Sequence, residues 1–197
     1  PVQERGELVT HTEQLSYFSR MTEAESFGRL ALAETHRRGL EQAGVVAAVT
    51  DGAEWEQKFI DFHCGEAVRI LDFPHAGERL RPFGDVVFGE GTPASQAWLA
   101  EHLHSLKYER PATVLAELRQ LQQAHAEVLV LAENLAYLEK REEHMQYPLY
   151  QAAGLPIGSG AVESGNKLVV ETRLKGAGMH WARSHVDPMV ALRDLVC

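Results

Sequence analysis

The chain has 197 residues, a formal net charge of −9, 45% hydrophobic and 24% charged residues. That is the balance of an ordinary globular protein with one sizeable core and room for a second small lobe. No segment reads as a signal peptide, no apolar run is long enough to span a bilayer, and the two cysteines, Cys64 and Cys197, give no zinc or disulfide framework, so no membrane partner and a cytoplasmic location are expected. The acidic balance excludes indiscriminate coating of nucleic acid but leaves room for a local basic groove.

Residues 1 to 14 are polar and carry little pattern. Gln14 to Met21, with Leu15, Tyr17 and Phe18, fits a strand. Thr22-Glu-Ala-Glu25 reads as a capping box, starting a helix to about Gly39 with Phe27, Leu30, Ala31 and Ala33 as its buried stripe. Val45 to Thr50 is a near-continuous apolar run, the pattern of a strand covered on both faces, and it delivers Asp51-Gly-Ala-Glu-Trp55 at its end. A helix over about 53–63 and a second strand over 67–71, ending in Asp72-Phe-Pro-His75, complete a strand–helix–strand unit. That order implies a parallel pair with a right-handed crossover, and sites in such sheets form beyond the carboxyl ends of the strands, where Asp51 and Asp72 fall.

From about Pro82 to Ala153 the pattern turns helical. Ser95 to Lys107 carries Trp98, Leu99, Leu103 and Leu106 at helical spacing, and Pro111 suits the first turn of a long periodic stretch toward His144. Leu115, Leu118, Leu121, Val128, Leu131, Leu135 and Leu138 mark its apolar face, which predicts a helical hairpin or small bundle. A glycine-rich turn over 154–160 leads to Glu163 near the start of another helical segment, and a last helix is expected from about Pro188 to Val196, capped by Asp187. The chain opens at Pro1 and closes at Cys197 straight after an apolar helical pattern, so both ends read as cut from something longer.

The window from Lys167 to Arg183 concentrates positive charge in an acidic chain. Lys167, Arg173, Lys175 and Arg183 are answered there only by Glu171. A carboxylate, Glu163, beside such cations suits a polyanion held next to a divalent metal; a glycine loop capping a surface helix is the bland alternative. If the Glu163 helix returns beside Asp51, two hard oxygen ligands converge and favour Mg²⁺ or Mn²⁺. Read singly, Asp51 is an Asp-Gly turn ending a strand. Asp72 and His75 likewise read first as a cap and its hydrogen-bonded neighbour. The three tryptophans, Trp55, Trp98 and Trp181, read as core, although an exposed Trp181 between His180 and Arg183 could stack on an unpaired base.

Four stretches together resemble one family: Asp51-Gly-Ala-Glu-Trp, Ile70-Leu-Asp-Phe-Pro-His-Ala76, Ile157-Gly-Ser-Gly-Ala-Val-Glu-Ser164 and Arg173-Leu-Lys-Gly-Ala-Gly-Met-His-Trp181. They are similar, in the same order, to bacterial insertion-sequence transposases of the DDE type, within them to the Kra-type group distantly related to mutator-like transposases. The resemblance runs from about Tyr17 to the C-terminus. It implies an α/β RNase H-like (retroviral-integrase-like) sheet with a mostly α-helical insertion. On this reading residues 1–81 form an N-terminally incomplete core, 82–153 the insertion, and 154–197 the return carrying Glu163. The activity implied is two-metal DNA strand cleavage and strand transfer at element ends, with Mg²⁺ or Mn²⁺ as cofactor, DNA (transposon ends and target) as partner, and a homo-oligomer as the working form.

Carried over by position, the resemblance makes Asp51 the second catalytic aspartate and Glu163 the final glutamate, both as metal ligands. Asp72 and His75 become the Asp/Cys-x-x-His signature that follows the second Asp, and Lys167, Arg173, Lys175, Trp181 and Arg183 become contacts to nucleic acid. Only about 20 residues separate Asp51 from Asp72, room for one helix and one strand, so these two are not the aspartate pair of such a sheet. Working backward from Asp51 on that topology gives the helix at 22 to 39, the strand near 15 to 20 and a strand remnant at 7 to 10. The first strand and its aspartate are therefore expected upstream of Pro1, and the chain alone is expected to be inactive. The alternatives are a non-catalytic remnant that competes for DNA or assembly, and an unrelated metal-dependent phosphohydrolase drawing another acidic ligand from residues 1 to 50.

Overall fold

The computed structural model describes residues 2–4, 7–10 and 12–196; Cys197 lies outside the described residues. The protein is mixed α/β and mostly helical, with a small two-stranded parallel sheet. It divides into two compact units, one of Pro1–Thr10, Ala47–Gly52 and Arg69–Gly158, the other of His11–Val46, Ala53–Val68 and Ser159–Cys197. Among the described residues no helix is long and apolar enough to cross a membrane.

Near the N-terminus β1 (Val2–Glu4) and β2 (Glu7–Val9) pair antiparallel, with Val2 opposite Val9. The expected remnant at 7 to 10 is therefore one arm of a paired ribbon. The strand pair that matters for the site is β3 (Ala47–Thr50) and β4 (Val68–Leu71). Val68 N donates to Val46 O at 2.8 Å and Asp72 N to Thr50 O at 2.8 Å. The constant offset between the two bonds makes the pair parallel. Ile70 and Leu71 are buried, whereas β3 is half-buried along its length and Val45 is exposed. The expectation of a first strand covered on both faces therefore fails: β3 packs as a half-covered strand.

In the first unit α3 (Phe73–Phe88) follows β4 directly. Asp72 caps it, its carboxylate accepting from His75 N at 3.1 Å, and Pro74 fills the first turn where no amide proton is needed. Helix therefore begins at Phe73 rather than near Pro82, which lies inside α3. Next come α4 (Pro93–Tyr108), α5 (Pro111–Ala124) and α6 (Leu129–Glu139), then a 3₁₀ turn over Glu142–Met145 and α7 (Tyr147–Ala152). Thr92 caps α4 by accepting from Ser95 N, and Ser95 Oγ donates to Asp85 of α3 at 2.6 Å. A side chain at Gly84 would run into Trp98 and Ser95, so a glycine there lets α3 and α4 meet closely. Leu80, Phe83, Leu106, Leu115, Leu118, Leu131 and Leu138 fill the space between these helices. Each such side chain contributes about 1.5–3 kcal/mol. The periodic stretch from Pro111 breaks between α5 and α6 and forms the expected small bundle.

In the second unit α1 (Ala24–Arg37) packs on α2 (Glu54–Cys64). Phe18, Phe27, Trp55 and Phe59 form an aromatic cluster with ring centroids 5.5 to 6.5 Å apart. The predicted capping box does not form: Glu23 is the N-cap of α1 and makes no side-chain cap bond. Ala31 is buried but Leu30 and Ala33 are exposed, and Trp55 is 47% exposed, so it is not a core residue. No strand forms over Gln14 to Met21. Side chains satisfy that backbone instead. Arg38 donates to Ser16 O and Tyr17 O, while Ser19 N and Met21 N donate to Asp194 and Asp187.

After the glycine turn, α8 (Gly160–Gly165) continues into a π-helical stretch over Asn166–Glu171 and then α9 (Thr172–Leu174). The last helix, α10, runs Arg183–Val196 with Pro188 inside it, one turn and more before the expected start. Asp187 is thus within the helix rather than its cap, and its carboxylate serves Met21 N at 2.8 Å. Wide π turns displace carbonyls from their usual partners, and Arg193 of α10 donates to the Leu168 carbonyl at 2.6 Å.

Candidate functional site

Asp51 follows the last residue of β3 and is exposed, while Gly52 beside it is buried. Both of their carbonyls are held by side chains from the far end of the first unit. The Tyr137 hydroxyl donates to Asp51 O, and Arg141 donates to Gly52 O through Nε at 3.0 Å and a terminal nitrogen at 2.6 Å. Gly52 has φ +81°, and any side chain there would collide with Arg141 and Tyr137. Glycine is required twice over, for the left-handed backbone and for the space.

The end of β4 is held in the same way. Tyr147, fully buried, donates its hydroxyl to Leu71 O at 2.9 Å, and Tyr150 reaches Arg69 O at 3.3 Å. Burial pushes the Tyr147 phenol far above its ordinary range, and the nearby Asp72 charge adds to the effect. His144 is pushed below its ordinary value, first by burial and then by the positive charges of Arg69 and Arg141. Residues of the helices and turns between Tyr137 and Tyr150 thus fix the peptides at the carboxyl ends of both parallel strands. Asp72 is buried as the cap of α3. His75 is about one-fifth exposed, its Nδ1 3.3 Å from Glu78. Asp72 thus caps α3, and His75 donates its amide to that cap.

Glu163 lies in the first turn of α8, in the second unit, and is exposed. Its carboxylate makes no hydrogen bond or ion pair among the described residues. Lys167 is exposed on the π stretch, Arg173 on α9 and Arg183 at the start of α10. Lys175 is already engaged, its Nζ 2.6 Å from Glu171, and that bond holds the Glu171 carboxyl below its ordinary value. Trp181 is half-buried rather than exposed. Its indole nitrogen is shielded without a partner, and the residue lines a pocket of about 320 Å³ with Arg173, Met179, His180 and His185.

Asp51 and Glu163 belong to different units, and each is placed within its own. Among the described residues no group of three or more His, Cys, Asp or Glu comes together to hold a metal ion. In kind, the two exposed carboxylates suit Mg²⁺ or Mn²⁺, which take oxygen ligands.

Sequence reasoning passed over Arg79, Tyr137, Arg141 and Tyr147. The i,i+4 spacing of Tyr137 and Arg141 puts them on one face of α6 and its continuation. Nothing in the sequence says that this face meets the peptides of Asp51 and Gly52, 86 and 89 residues earlier. Set against protein-family models, curated proteins and solved structures, the chain matches none.

Proposed function

We propose that the chain is the C-terminal part of the RNase H-like catalytic domain of a DDE-type transposase of bacterial insertion sequences. Asp51 and Glu163 serve as two of its metal-ligating carboxylates. The observation that supports this most is the pinned carboxyl end of β3, where Tyr137 and Arg141 hold the peptides of Asp51 and Gly52 and leave the Asp51 residue exposed. A metal ligand is useful only if its backbone stays put. When bound, Mg²⁺ or Mn²⁺ supplies charge stabilisation at a phosphodiester. Lys167, Arg173 and Arg183 carry positive charge for the DNA backbone. On this reading the chain alone does not cleave DNA, because a two-metal site needs a further carboxylate. The working protein is a homo-oligomer in the cytoplasm acting on transposon ends and target.

Manganese titrated into the isotope-labelled chain tests the metal reading. Paramagnetic broadening from a single ion should reach amides around both Asp51 and Glu163, and Glu163→Gln should weaken the effect at both. Two independent sites, or broadening at Asp51 indifferent to Glu163→Gln, would sink it.

A second reading is a non-catalytic remnant that binds DNA or competes for assembly, with the exposed cations Lys167, Arg173 and Arg183 as its binding surface. Charge reversal at Arg173 and Lys175 weakens DNA binding under both readings. Under this one, Glu163→Gln changes nothing in metal-dependent assays.

A further inference from the structure

Arg79 lies on α3 one turn beyond His75, within the first unit. Its guanidinium carbon sits 4.3 Å from the centre of the Tyr137 ring, and that of Arg141 sits 3.7 Å from the same ring. Two cations therefore share the aromatic side chain whose hydroxyl holds the Asp51 carbonyl. They are not equally satisfied. Arg141 makes two bonds to Gly52 O and one to Tyr137 O at 3.0 Å. Among the described residues Arg79 has no anionic partner, only contacts at the long limit of a hydrogen bond to Asn134 Oδ1 at 3.4 Å and His75 Nε2 at 3.4 Å. Its Nε is buried with no partner, and no carboxylate among the described residues pairs with it.

The nearest acid does not fill that role. Glu78 faces His75 Nδ1 at 3.3 Å. The other ring nitrogen of His75, Nε2, lies toward Arg79. A half-buried guanidinium with an idle donor and no anion is costly to keep. A planar fork of this kind matches the oxygens of a phosphate group.

We propose that Arg79, braced by Tyr137, His75 and Asn134, is a binding site for a phosphate oxyanion one ring away from Asp51. This site goes beyond the metal reading and does not need it, since the anion is held by arginine alone. The phosphate is either a free ion or part of a polynucleotide backbone.

The full chain in EDTA tests this, so that loss of metal binding cannot mask the result. Thermal unfolding is followed against inorganic phosphate, with chloride at equal ionic strength as reference, for wild type, Arg79→Met, Arg79→Lys and a control, Arg119→Met. Arg119 pairs with Glu139 elsewhere on the bundle. Each tenfold rise in phosphate above its Kd should raise Tm by about 3–5 °C in wild type and in the control. Arg79→Met should abolish the phosphate-specific part. Arg79→Lys, which keeps the charge but not the fork, should weaken binding about tenfold. A labelled DNA duplex read by fluorescence anisotropy assigns the source. Loss of DNA affinity in Arg79→Met alongside the lost phosphate shift places a polynucleotide backbone there, and retained DNA affinity with a lost phosphate shift places a free phosphate. An unchanged phosphate shift in Arg79→Met overturns the site, as does a wild type that responds to neither probe. If Arg79→Met does not fold, Arg79→Lys binding phosphate as tightly as wild type overturns it.

Discussion

The Tyr137 hydroxyl donates to the backbone carbonyl of Asp51, 86 residues earlier in the chain. Four residues further on, Arg141 takes the next carbonyl, that of Gly52. Helical segments far along the chain thus set the peptide geometry at the end of a strand, where a catalytic carboxylate would need it fixed. The peptide between the two carbonyls cannot move without breaking these hydrogen bonds, of which the two from Arg141 are buried.

Gly52→Ala tests how tightly this corner is built. Alanine at φ +81° is strained, and its methyl would displace Arg141 and the Tyr137 hydroxyl. Strain of about 1–3 kcal/mol adds to weakened hydrogen bonds. The expected destabilisation in urea unfolding is about 2–4 kcal/mol. A cost near zero would mean that the corner rearranges freely.

Arg141→Met and Tyr137→Phe separate the two holds. Arg141 is buried, and its loss strands the Gly52 carbonyl without a donor. That should cost about 2–4 kcal/mol. Tyr137→Phe removes one bond from a less buried tyrosine and should cost about 1 kcal/mol. The order of the two, read from chemical denaturation, is the check.

The local pattern of the sequence was enough to place β3, β4, α2, α4 and the bundle face of α5 and α6, because short apolar runs and helical spacing are properties of neighbouring residues. It misled where distant groups decide. Gln14 to Met21 carries a strand's residues, yet its backbone is claimed by Arg38, Asp187 and Asp194. Pro188 looked like a first turn, but α10 begins at Arg183 and tolerates it inside. The helical region, read as starting near Pro82, begins at Phe73, where Asp72 and Pro74 signal the start of α3. The position of Asp51 at a strand end was legible; the side chains that fix its peptide were not, since they come from another part of the chain.

Acid stability should carry a signature of Glu34. Its carboxyl is held down to about 2, chiefly by the Arg37 hydrogen bond and then by Arg38, against an ordinary value of 4.5. A depressed carboxyl stabilises the fold above its unfolded value and loses that contribution as pH falls through the folded one. Between 4.5 and about 2, wild type should therefore lose Tm. Glu34→Gln should show a flatter curve there. Curves that stay parallel across that window would remove Glu34 as the cause.

His144 acts at a higher pH. Burial, then Arg69 and Arg141, lower its folded value below 6.5. The unfolded chain takes up the proton first, so stability is fully present above 6.5 and declines as pH falls toward the folded value. His63, lowered mainly by burial, contributes in the same direction. His144→Gln should remove part of the slope of unfolding free energy with pH below 6.5, and His63→Gln another part. A slope untouched by either variant would place the proton uptake elsewhere.

The basic window gives the last prediction, which rests on the proposed DNA contact. Glu171 holds Lys175 at 2.6 Å, so one of the four cations between Lys167 and Arg183 is neutralised before any DNA arrives. Arg173 and Arg183 have no acidic partner among the described residues and should do most of the binding, while Lys167 shares the field of Glu171 one helical turn away. Glu171→Gln releases Lys175, and a released lysine can displace one more counterion from a phosphate. Binding should tighten, and the slope of log K against log salt should steepen by about one unit. Lys175→Met, which leaves Glu171 uncompensated, should cost less than Arg173→Met, and Arg173→Met should reduce the slope by about one unit. Isothermal titrations at several salt concentrations read all three. If Lys175→Met costs as much as Arg173→Met, the ion pair with Glu171 does not restrain Lys175 in solution.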